Sequence, residues 1–501
     1  MAPWSLNEVS EHNSAQSCWV VIHNNVYDVT EFLPEHPGGA AIILRYAGGD
    51  ATEVYDQIHV PDALDKCLPG EKHLGPVQPD AARRLTEERI ARKKTKDEVR
   101  VEEAHKRKPP LSHILSLAAM EKVASDVLSH KAWSYYSSSS DDTISAFLLV
   151  AISPVEIYIP AAYSENARAF SRFFFNARVM RPVGDCDPST TILGYSSSIP
   201  VFVSGAALAR LGHPKGEINI TRAAAKEGII QMVSSNASLS KEDIMAAADP
   251  TQTLFFQLYK NRDDDKALKR VQEVVGLGYK AIFLTVDAIV AGNREEDIRC
   301  PWVLEELESG KPAVWDENAP VEDVNLGGTA GNLVNRDDRN MKWEKTVPWL
   351  RSVTTLPIVI KGVQCVADAV AAAEAGVDGI LLSNHGGRQL DYSMPPIEVL
   401  YRLQRQRPDV FLKLEVYIDG GIYRGTDVVK ALCLGAKAVG LGRAFLYAQS
   451  AYGEAGAAKV VQLMRREIVT AMQLVGASNV TDLKPEMVER VDWECLPKSK
   501  L

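Results

Sequence analysis

From about residue 195 to 450 the chain repeats one pattern: a short run of apolar residues ends in polar or glycine residues, and a stretch with helical periodicity follows. The runs are Pro200–Ser204, Ile229–Ser234, Leu254–Tyr259, Ala281–Asp287, Pro357–Gly362, Gly379–Asn384, Leu414–Asp419 and Ala438–Arg443. Eight strand–helix units over roughly 250 residues predict an α/β fold, a (β/α)8 TIM barrel. An open doubly wound sheet is the alternative, but no Gly-x-Gly-x-x-Gly turn follows the first run. The N-terminal part reads differently. Trp19–Ile22 and Val26–Val29 alternate as strands, the Asn24-Asn25 pair between them signals a hairpin, and short helical patterns surround them. This predicts a small α+β domain over 1–76. Glu87-Glu88-Arg89, Arg92-Lys93-Lys94 and Lys106-Arg107-Lys108 alternate with acids before Pro109-Pro110, which reads as a solvated, partly helical linker over 77–110. The barrel is expected over 111–490, with a tail at 491–501.

A chain of 501 residues with 46% hydrophobic and 24% charged residues is that of a globular protein of two or more domains. The formal charge of −9 argues against nucleic acid and for a basic partner protein. The seven cysteines include no Cys-x-x-Cys pair, so neither a disulfide framework nor a zinc site is indicated. Ile144–Ala162 is apolar, but Pro154, Glu156 and Pro160 interrupt it and no membrane span is expected. Met1–Ser10 has no basic run or apolar core, so no targeting peptide is read and the cytoplasm is the expected location.

His36 opens His36-Pro37-Gly38-Gly39, and His59 follows in Gln57-Ile58-His59-Val60-Pro61. The glycines let backbone approach a large flat ligand. Two imidazoles from opposite walls can fill both axial positions of a haem iron, which leaves no open site for O2 and suits electron transfer. A plain turn is the other reading of that tetrapeptide. With Asp28-Val29-Thr30-Glu31-Phe32 ahead of it and Tyr46-Ala47-Gly48-Gly49-Asp50-Ala51-Thr52 after it, the segment 4–76 resembles the cytochrome b5 family. The resemblance implies haem b, with His36 and His59 as the metal ligands. His12, His23 and His73 are expected at the surface.

In such a barrel the chemistry sits where strands end. Those ends carry Ser204-Gly205-Ala206, Ser234-Ser235, Gln257 and Tyr259, Thr285 and Asp287, Lys361, Ser383-Asn384-His385, Asp419-Gly420-Gly421 and Gly442-Arg443. After residue 200 the histidines are His213 and His385, and His385 alone directly follows a strand. It is the candidate base, against a purely structural histidine at the rim. Asp287 could hold its ring and stabilise the protonated form. Arg388 offers a fork for a substrate carboxylate. Gly420-Gly421 and Gly442-Arg443 follow the seventh and eighth strands, where such barrels often bind phosphate. Lys361 could set a positive charge against a cofactor that becomes anionic on reduction, or serve a structural salt bridge.

Ser383-Asn384-His385-Gly386-Gly387-Arg388-Gln389-Leu390-Asp391, Asp419-Gly420-Gly421, and Thr285-Val286-Asp287 leading to Arg294-Glu295-Glu296-Asp297 resemble the FMN-dependent 2-hydroxy acid oxidase and dehydrogenase family over about residues 111–490. With the haem segment in front, the chain resembles the haem- and flavin-containing L-lactate dehydrogenases. The resemblance implies that L-lactate, or a similar L-2-hydroxy acid, is oxidised by FMN, with electrons passed through haem b to a cytochrome c-like acceptor. It implies that His385 takes the substrate proton with Asp287, that Arg388 and Tyr135 bind the carboxylate, and that Tyr259 binds the substrate oxygen. Arg294 supports the site and Lys361 steadies reduced FMN. Ser234, Gln257, Thr285, Asp419, Gly420, Gly421, Gly442 and Arg443 belong to the FMN site. It further implies a homo-oligomer, a tetramer, and raises the mitochondrial intermembrane space as an alternative location.

Four features depart from that family. Tyr423 replaces the first arginine after Asp419-Gly420-Gly421-Ile422, leaving Arg443 most of the charge for the phosphate. Ala206 stands where a threonine is common. Ser139 and Ser140 replace a Gly-Ala pair, which costs most if a positive φ is needed there. Ile144–Ser164 stands where the family has a handful of residues; it reads as a retained, translated intron, with a genuine loop as the alternative, and is expected to be a surface excursion. Asn236 sits where the family varies its pocket wall. Two other functions follow from these points: a dehydrogenase of longer or aromatic 2-hydroxy acids, or a haem-binding protein whose barrel lost flavin.

Overall fold

The computed structural model describes residues 3–36, 40–56, 59, 64, 68–140, 143–144, 159–314 and 327–491. They fall into two compact units, Met1–Glu103 with Trp302–Asp316, and Ala104–Pro301 with Glu317–Leu501.

In the first unit, strands Asn13–Ser14, Ser17–Ile22, Asn25–Asp28 and His73–Pro76 form an antiparallel sheet in that order. Alternation along Ser17–Ile22 buries Cys18, Val20 and Ile22 in one cluster with Val29, Leu33 and Tyr55. The hairpin turn sits one residue earlier than the sequence suggests. Ile22 pairs with Asn25, so His23 and Asn24 are the two central residues, at φ 49° and 63°. A two-residue turn of this hand needs positive φ at both positions. Tertiary bonds hold it there: His23 N–H donates to Thr52 Oγ1 at 3.0 Å, and Asn24 O accepts from Val77 N–H at 3.0 Å.

The stretch expected as a partly helical linker forms two helices, Pro79–Ala91 and Lys96–Arg107. The first is not simply solvated. Ala81, Ala82 and Leu85 fall on one face and pack against Val9, Val21, Val26 and Val77. Charge secures the same helix: Arg89 pairs with Asp50 at 3.1 Å and hydrogen-bonds Asn24, and Arg92 just beyond pairs with Glu53. Charge density dominates the sequence pattern here and hides the narrow apolar stripe.

In the second unit all eight predicted runs form strands: Val201–Val203, Gln231–Ser234, Leu254–Leu258, Ile282–Thr285, Ile358–Val363, Gly379–Leu382, Glu415–Asp419 and Ala438–Leu441. They close into a parallel barrel in chain order, the first pairing with the last through Phe202 and Gly440. Closure excludes the open sheet. The interior is filled by Phe202, Met232, Phe255, Phe283 and Tyr417, capped at one end by Ile192, Leu193 and Tyr195 of a short hairpin. No helix among the described residues is long and apolar enough to cross a membrane.

Of Ile144–Ser164, residues 145–158 lie outside the described residues, and the expected surface excursion lies there with them. Its two ends pair, Thr143 with Pro160 and Ile144 with Ile159, so the chain leaves and re-enters at one place. Ala161–Ser164 already belong to helix Ala161–Ala169.

Two outcomes follow. Leu85→Ala should lower the stability of the first unit by about 2–5 kcal/mol, read as the urea midpoint of its transition; an unchanged midpoint would mean that the charged helix is not part of it. Deleting 145–158 across a short turn should leave the second unit cooperatively folded, whereas deleting 144–164 should lower its stability, because it removes the first turn of helix Ala161–Ala169. Thermal melts of the two purified deletions decide this, and equal midpoints would refute the boundary.

Candidate active site

Side chains from adjacent strand ends meet above the barrel interior. Ser234 and Gln257 stand opposite each other on the second and third strands. Gln257 Oε1 accepts from Ser234 Oγ at 2.9 Å, and its Nε2 donates to Thr285 Oγ1 at 2.8 Å. A buried amide is thus satisfied in both senses across three strands. Ser204 donates to Asp419 Oδ2 at 3.1 Å across the first and seventh strands. Asp419 Oδ1 is buried and has no hydrogen-bond partner among the described residues. Such an acceptor asks for a donor from a bound molecule. The cavity beside it is lined by Ser204, Ser234, Lys361, Asp419, Gly442 and Arg443, with the backbone of Gly420 and Gly421 at its rim. A polyhydroxylated chain carrying a phosphate fits this set, and FMN is such a molecule.

Asp287, Lys361 and His385 come from the ends of the fourth, fifth and sixth strands. The Asp287 side chain is 0% exposed. Its Oδ1 lies 2.9 Å from His385 Nδ1 and its Oδ2 3.6 Å from Lys361 Nζ. Burial pushes the carboxyl's pKa up, but Lys361 and His385 outweigh it and hold the group below its ordinary value of 3.8. An ionised carboxylate only accepts, so Nδ1 carries the proton and Nε2 has a free lone pair. Burial, and then the charge of Lys361, hold the imidazole below its ordinary 6.5 even though Asp287 pulls the other way. The ring is therefore neutral at neutral pH. Tyr259 Oη lies 3.4 Å from Nε2; burial, and then Asp287, keep that phenol protonated.

Arg388 faces the same cavity. It donates from Nη1 to Tyr136 O at 2.8 Å and Ser138 O at 2.9 Å, and from Nη2 to Tyr135 O at 2.8 Å. It thus caps the C-terminal end of helix His130–Ser137, and its guanidinium lies over the Tyr135 ring at 5.2 Å. Burial, then Arg294, push its pKa down to about 9. A guanidinium stays charged in a protein regardless. Arg294 donates to Arg388 O at 3.0 Å and to Gln389 Oε1 at 2.9 Å. Arg443 donates to Gly386 O at 2.6 Å. Three guanidinium groups and Lys361 around one cavity favour anionic occupants.

Every site residue inferred for the barrel is thus placed around this cavity or its supporting hydrogen bonds. Tyr423, Ala206 and Asn236 line it as well, together with Arg443. Ser139 has no positive φ, and the loss of glycine there carries no backbone penalty.

Two supporting residues were missed. Gln389 ties Arg294 to the backbone after Asp287, its Nε2 donating to Asp287 O at 3.2 Å and Val290 O at 2.7 Å. Asn166 pairs with Asn384. Gln389 lay inside a quoted motif, but nothing in the sequence around Asn166 pointed to a site.

In the N-terminal unit the rings of His36 and His59 stand 5.8 Å apart between centroids, inclined by 33°. Two imidazoles that face each other across a gap of this size could hold one iron between them. His59 Nδ1 lies 3.2 Å from Tyr55 O, so Nδ1–H donates there and Nε2 is the nitrogen that could bind a metal. Tyr55 stacks on His59 at 4.5 Å. Phe32, Leu33, Ile43 and Leu68 supply apolar surroundings. These residues fit haem. His23 is exposed as expected, while His12 stacks on Trp19 at 3.5 Å.

Residues 159–490 match the family model described as FMN-dependent dehydrogenase, and residues 5–78 that described as cytochrome b5-like heme/steroid binding domain. The chain is 41% identical over 487 residues to an L-lactate dehydrogenase (cytochrome) of Wickerhamomyces anomalus, covering 96% of this chain and 79% of the relative. It is 41% identical over 492 residues to the enzyme of the same name from Saccharomyces cerevisiae, with the same coverage. The solved flavin-binding domain of baker's yeast flavocytochrome b2 superposes with a TM-score of 0.68 at 38% identity, covering 79% of this chain and 91% of that one.

The His385 imidazole should take up its second proton only as the pH falls below 6.5. Asp287→Asn should move that titration lower still, because the carboxylate is what favours the charged ring. Nitrogen chemical shifts of the ring across a pH titration give both values; a midpoint above 6.5 in the native protein would contradict the account of its surroundings.

Proposed function

The chain belongs to the FMN-dependent dehydrogenase family and carries a cytochrome b5-like haem-binding domain ahead of the barrel, and from this premise we propose that it oxidises L-lactate, or a close L-2-hydroxy acid, to the 2-keto acid and delivers the electrons through haem b to a cytochrome c-like acceptor. The observation that carries the reading is the neutral His385, backed by buried Asp287 and opening at Nε2 onto a cavity ringed by arginines. FMN supplies a two-electron acceptor and haem b a one-electron carrier.

The protein's own groups do the rest. Arg388 holds the substrate carboxylate. Its hydrogen bonds to the helix end engage Nη1 and one Nη2 N–H, and the Tyr135 phenol beside the guanidinium is added to the carboxylate site. Tyr259 donates a hydrogen bond to the substrate's C2 oxygen. Oxidation removes two electrons and two protons: His385 Nε2 takes one proton, and the other would leave with the electron pair to the two-electron acceptor that FMN would supply. Asp287 stabilises the imidazolium so formed, at the nitrogen it already holds. Lys361 would set its positive charge against FMN, Gln257, Ser234 and Thr285 would hold its polar edge, Asp419 would accept from its hydroxylated chain, and Arg443 with Gly420, Gly421 and Gly442 would hold its phosphate end. Arg294 keeps Arg388 and Gln389 in place. In the N-terminal domain His36 and His59 would hold the haem iron, which would supply the one-electron carrier.

We further propose a homo-oligomer, a tetramer, in the cytosol. Sedimentation and cell fractionation test this, with recovery from the mitochondrial intermembrane space as the contrary outcome.

Anaerobic mixing with L-lactate should bleach flavin absorbance and then reduce the haem. His385→Gln should slow flavin bleaching by about 10²–10⁴-fold with FMN still bound. His36→Ala or His59→Ala should abolish the low-spin haem spectrum and leave flavin bleaching intact. Haem without flavin in the purified protein would favour the haem-binding alternative, and faster bleaching by an aromatic 2-hydroxy acid would reassign the substrate.

A further inference from the structure

Helix Ala161–Ala169 lies outside the eight barrel repeats, yet one of its side chains enters between the ends of the sixth and seventh strands. Asn166 is 1% exposed. Its Nδ2 donates to Asn384 Oδ1 at 2.8 Å, and Asn384 Nδ2 donates back to Asn166 Oδ1 at 2.7 Å. The orientation of the Asn384 amide is fixed independently, because its Oδ1 also accepts from Gly387 N–H at 3.2 Å. Asn166 must therefore present an N–H at that position and an acceptor beside it. An amide side chain does both at once; a carboxylate or a hydroxyl of the same reach does not reproduce it.

The turn held by Asn384 is the one that bears the proton acceptor. His385, Gly386 and Gly387 follow with φ of 57°, 67° and 77°. A left-handed histidine is strained and persists only where its surroundings fix it. Its backbone N–H is held by Ser383 Oγ at 3.1 Å, and Gly387 N–H returns to Asn384 O at 3.0 Å. Asn166 also borders the neighbouring loop: its main-chain carbonyl oxygen lies 2.2 Å from where a Cβ on Gly421 would stand, and its side-chain Nδ2 3.4 Å from where one on Gly420 would stand. The seventh-strand loop therefore approaches this residue as closely as glycine permits.

We infer that Asn166 is a positioning residue, a clip that fixes the His385 turn to the Gly420–Gly421 loop and so sets both the direction of Nε2 and the shape of the FMN cradle. The inference rests on the reading of His385 as proton acceptor given above. It also explains why a helix outside the barrel is needed for the site. Groups facing the histidine from the other strands are Asp287, Lys361, Tyr259 and Arg294. None of them bonds the backbone of the turn, which is held by Ser383 and by Asn384 with Asn166 behind it, while Arg443 bonds Gly386 O and Ser140 bonds Gly387 O further along.

The test uses the full-length holoprotein with Asn166→Ala, Asn166→Ser and Asn166→Asp. Asn219→Ala serves as a control: Asn219 is a buried amide bonded to His213 and Gln449, none of which lines the cavity. The clip predicts that flavin bleaching by L-lactate slows by about 10–100-fold at saturation with little change in KM. It predicts that the acid limb of the pH profile moves upward, because a loosened turn relieves the burial that holds His385 low. It also predicts weaker binding of FMN to the apoprotein, measured by quenching of free FMN fluorescence. Asp at 166 should impair as Ala does, since it lacks the N–H donor. Variants that melt earlier, as Asn219→Ala does, but keep the native acid limb and FMN affinity would overturn the inference. So would failure of all three to fold, which would make Asn166 a folding element. If the native protein itself is not bleached by L-lactate, the functional reading fails, and the FMN titrations still decide for or against the clip.

Discussion

The chemistry depends on one buried carboxylate. Asp287 has no solvent access, and an ion in that position costs several kcal/mol unless it is compensated. Compensation comes from two neighbours, Lys361 at 3.6 Å and His385 at 2.9 Å. The arrangement fixes the state of each group around it. The carboxylate stays ionised, the imidazole keeps its proton on Nδ1, and the Tyr259 phenol stays protonated. The barrel makes the cluster possible because its fourth, fifth and sixth strands are neighbours in register, Thr285 beside Lys361 and Lys361 beside Leu381. Three groups distant in sequence thereby emerge at one height.

The rest of the cavity follows from the same electrostatics. Arg294, Arg388, Arg443 and Lys361 bring more positive charge than Asp287 and Asp419 cancel, and the surplus suits an occupant with a phosphate at one end and a substrate carboxylate at the other. Arg388 couples these charges to structure outside the barrel, since the helix end that it caps also carries Tyr135. Helix Ala161–Ala169 plays a matching part on the other side through Asn166. The barrel presents the reacting groups, and segments that precede it in the chain hold their orientation.

What the sequence revealed and what it concealed divide along a physical line. Short apolar runs ending in polar residues report both the strand and the end that bears chemistry, so the barrel and His385, Asp287, Lys361 and Arg388 could be read directly. The histidine pair His36 and His59, whose rings the fold brings together, could be picked out because its flanking residues form a local pattern. Asn166 could not, because its partner lies 218 positions away and an isolated asparagine after an apolar stretch has no periodicity to betray it. The helix Pro79–Ala91 was obscured because charge outweighs its narrow stripe of Ala81, Ala82 and Leu85. The hairpin slipped by one residue because Thr52, far along the chain, holds His23 in the turn. Local pattern fixes elements, whereas registers and clamps depend on contacts that only the folded chain makes.

If Asp287 and His385 act as one unit, their contributions cannot be independent. The most direct test is the rate of flavin bleaching by L-lactate in Asp287→Asn, His385→Gln and the double variant. The account predicts that the double variant is no slower than His385→Gln alone, because Asp287 acts only through the histidine that it holds. Losses that multiply, with each substitution costing as much in the presence of the other as in its absence, would contradict it.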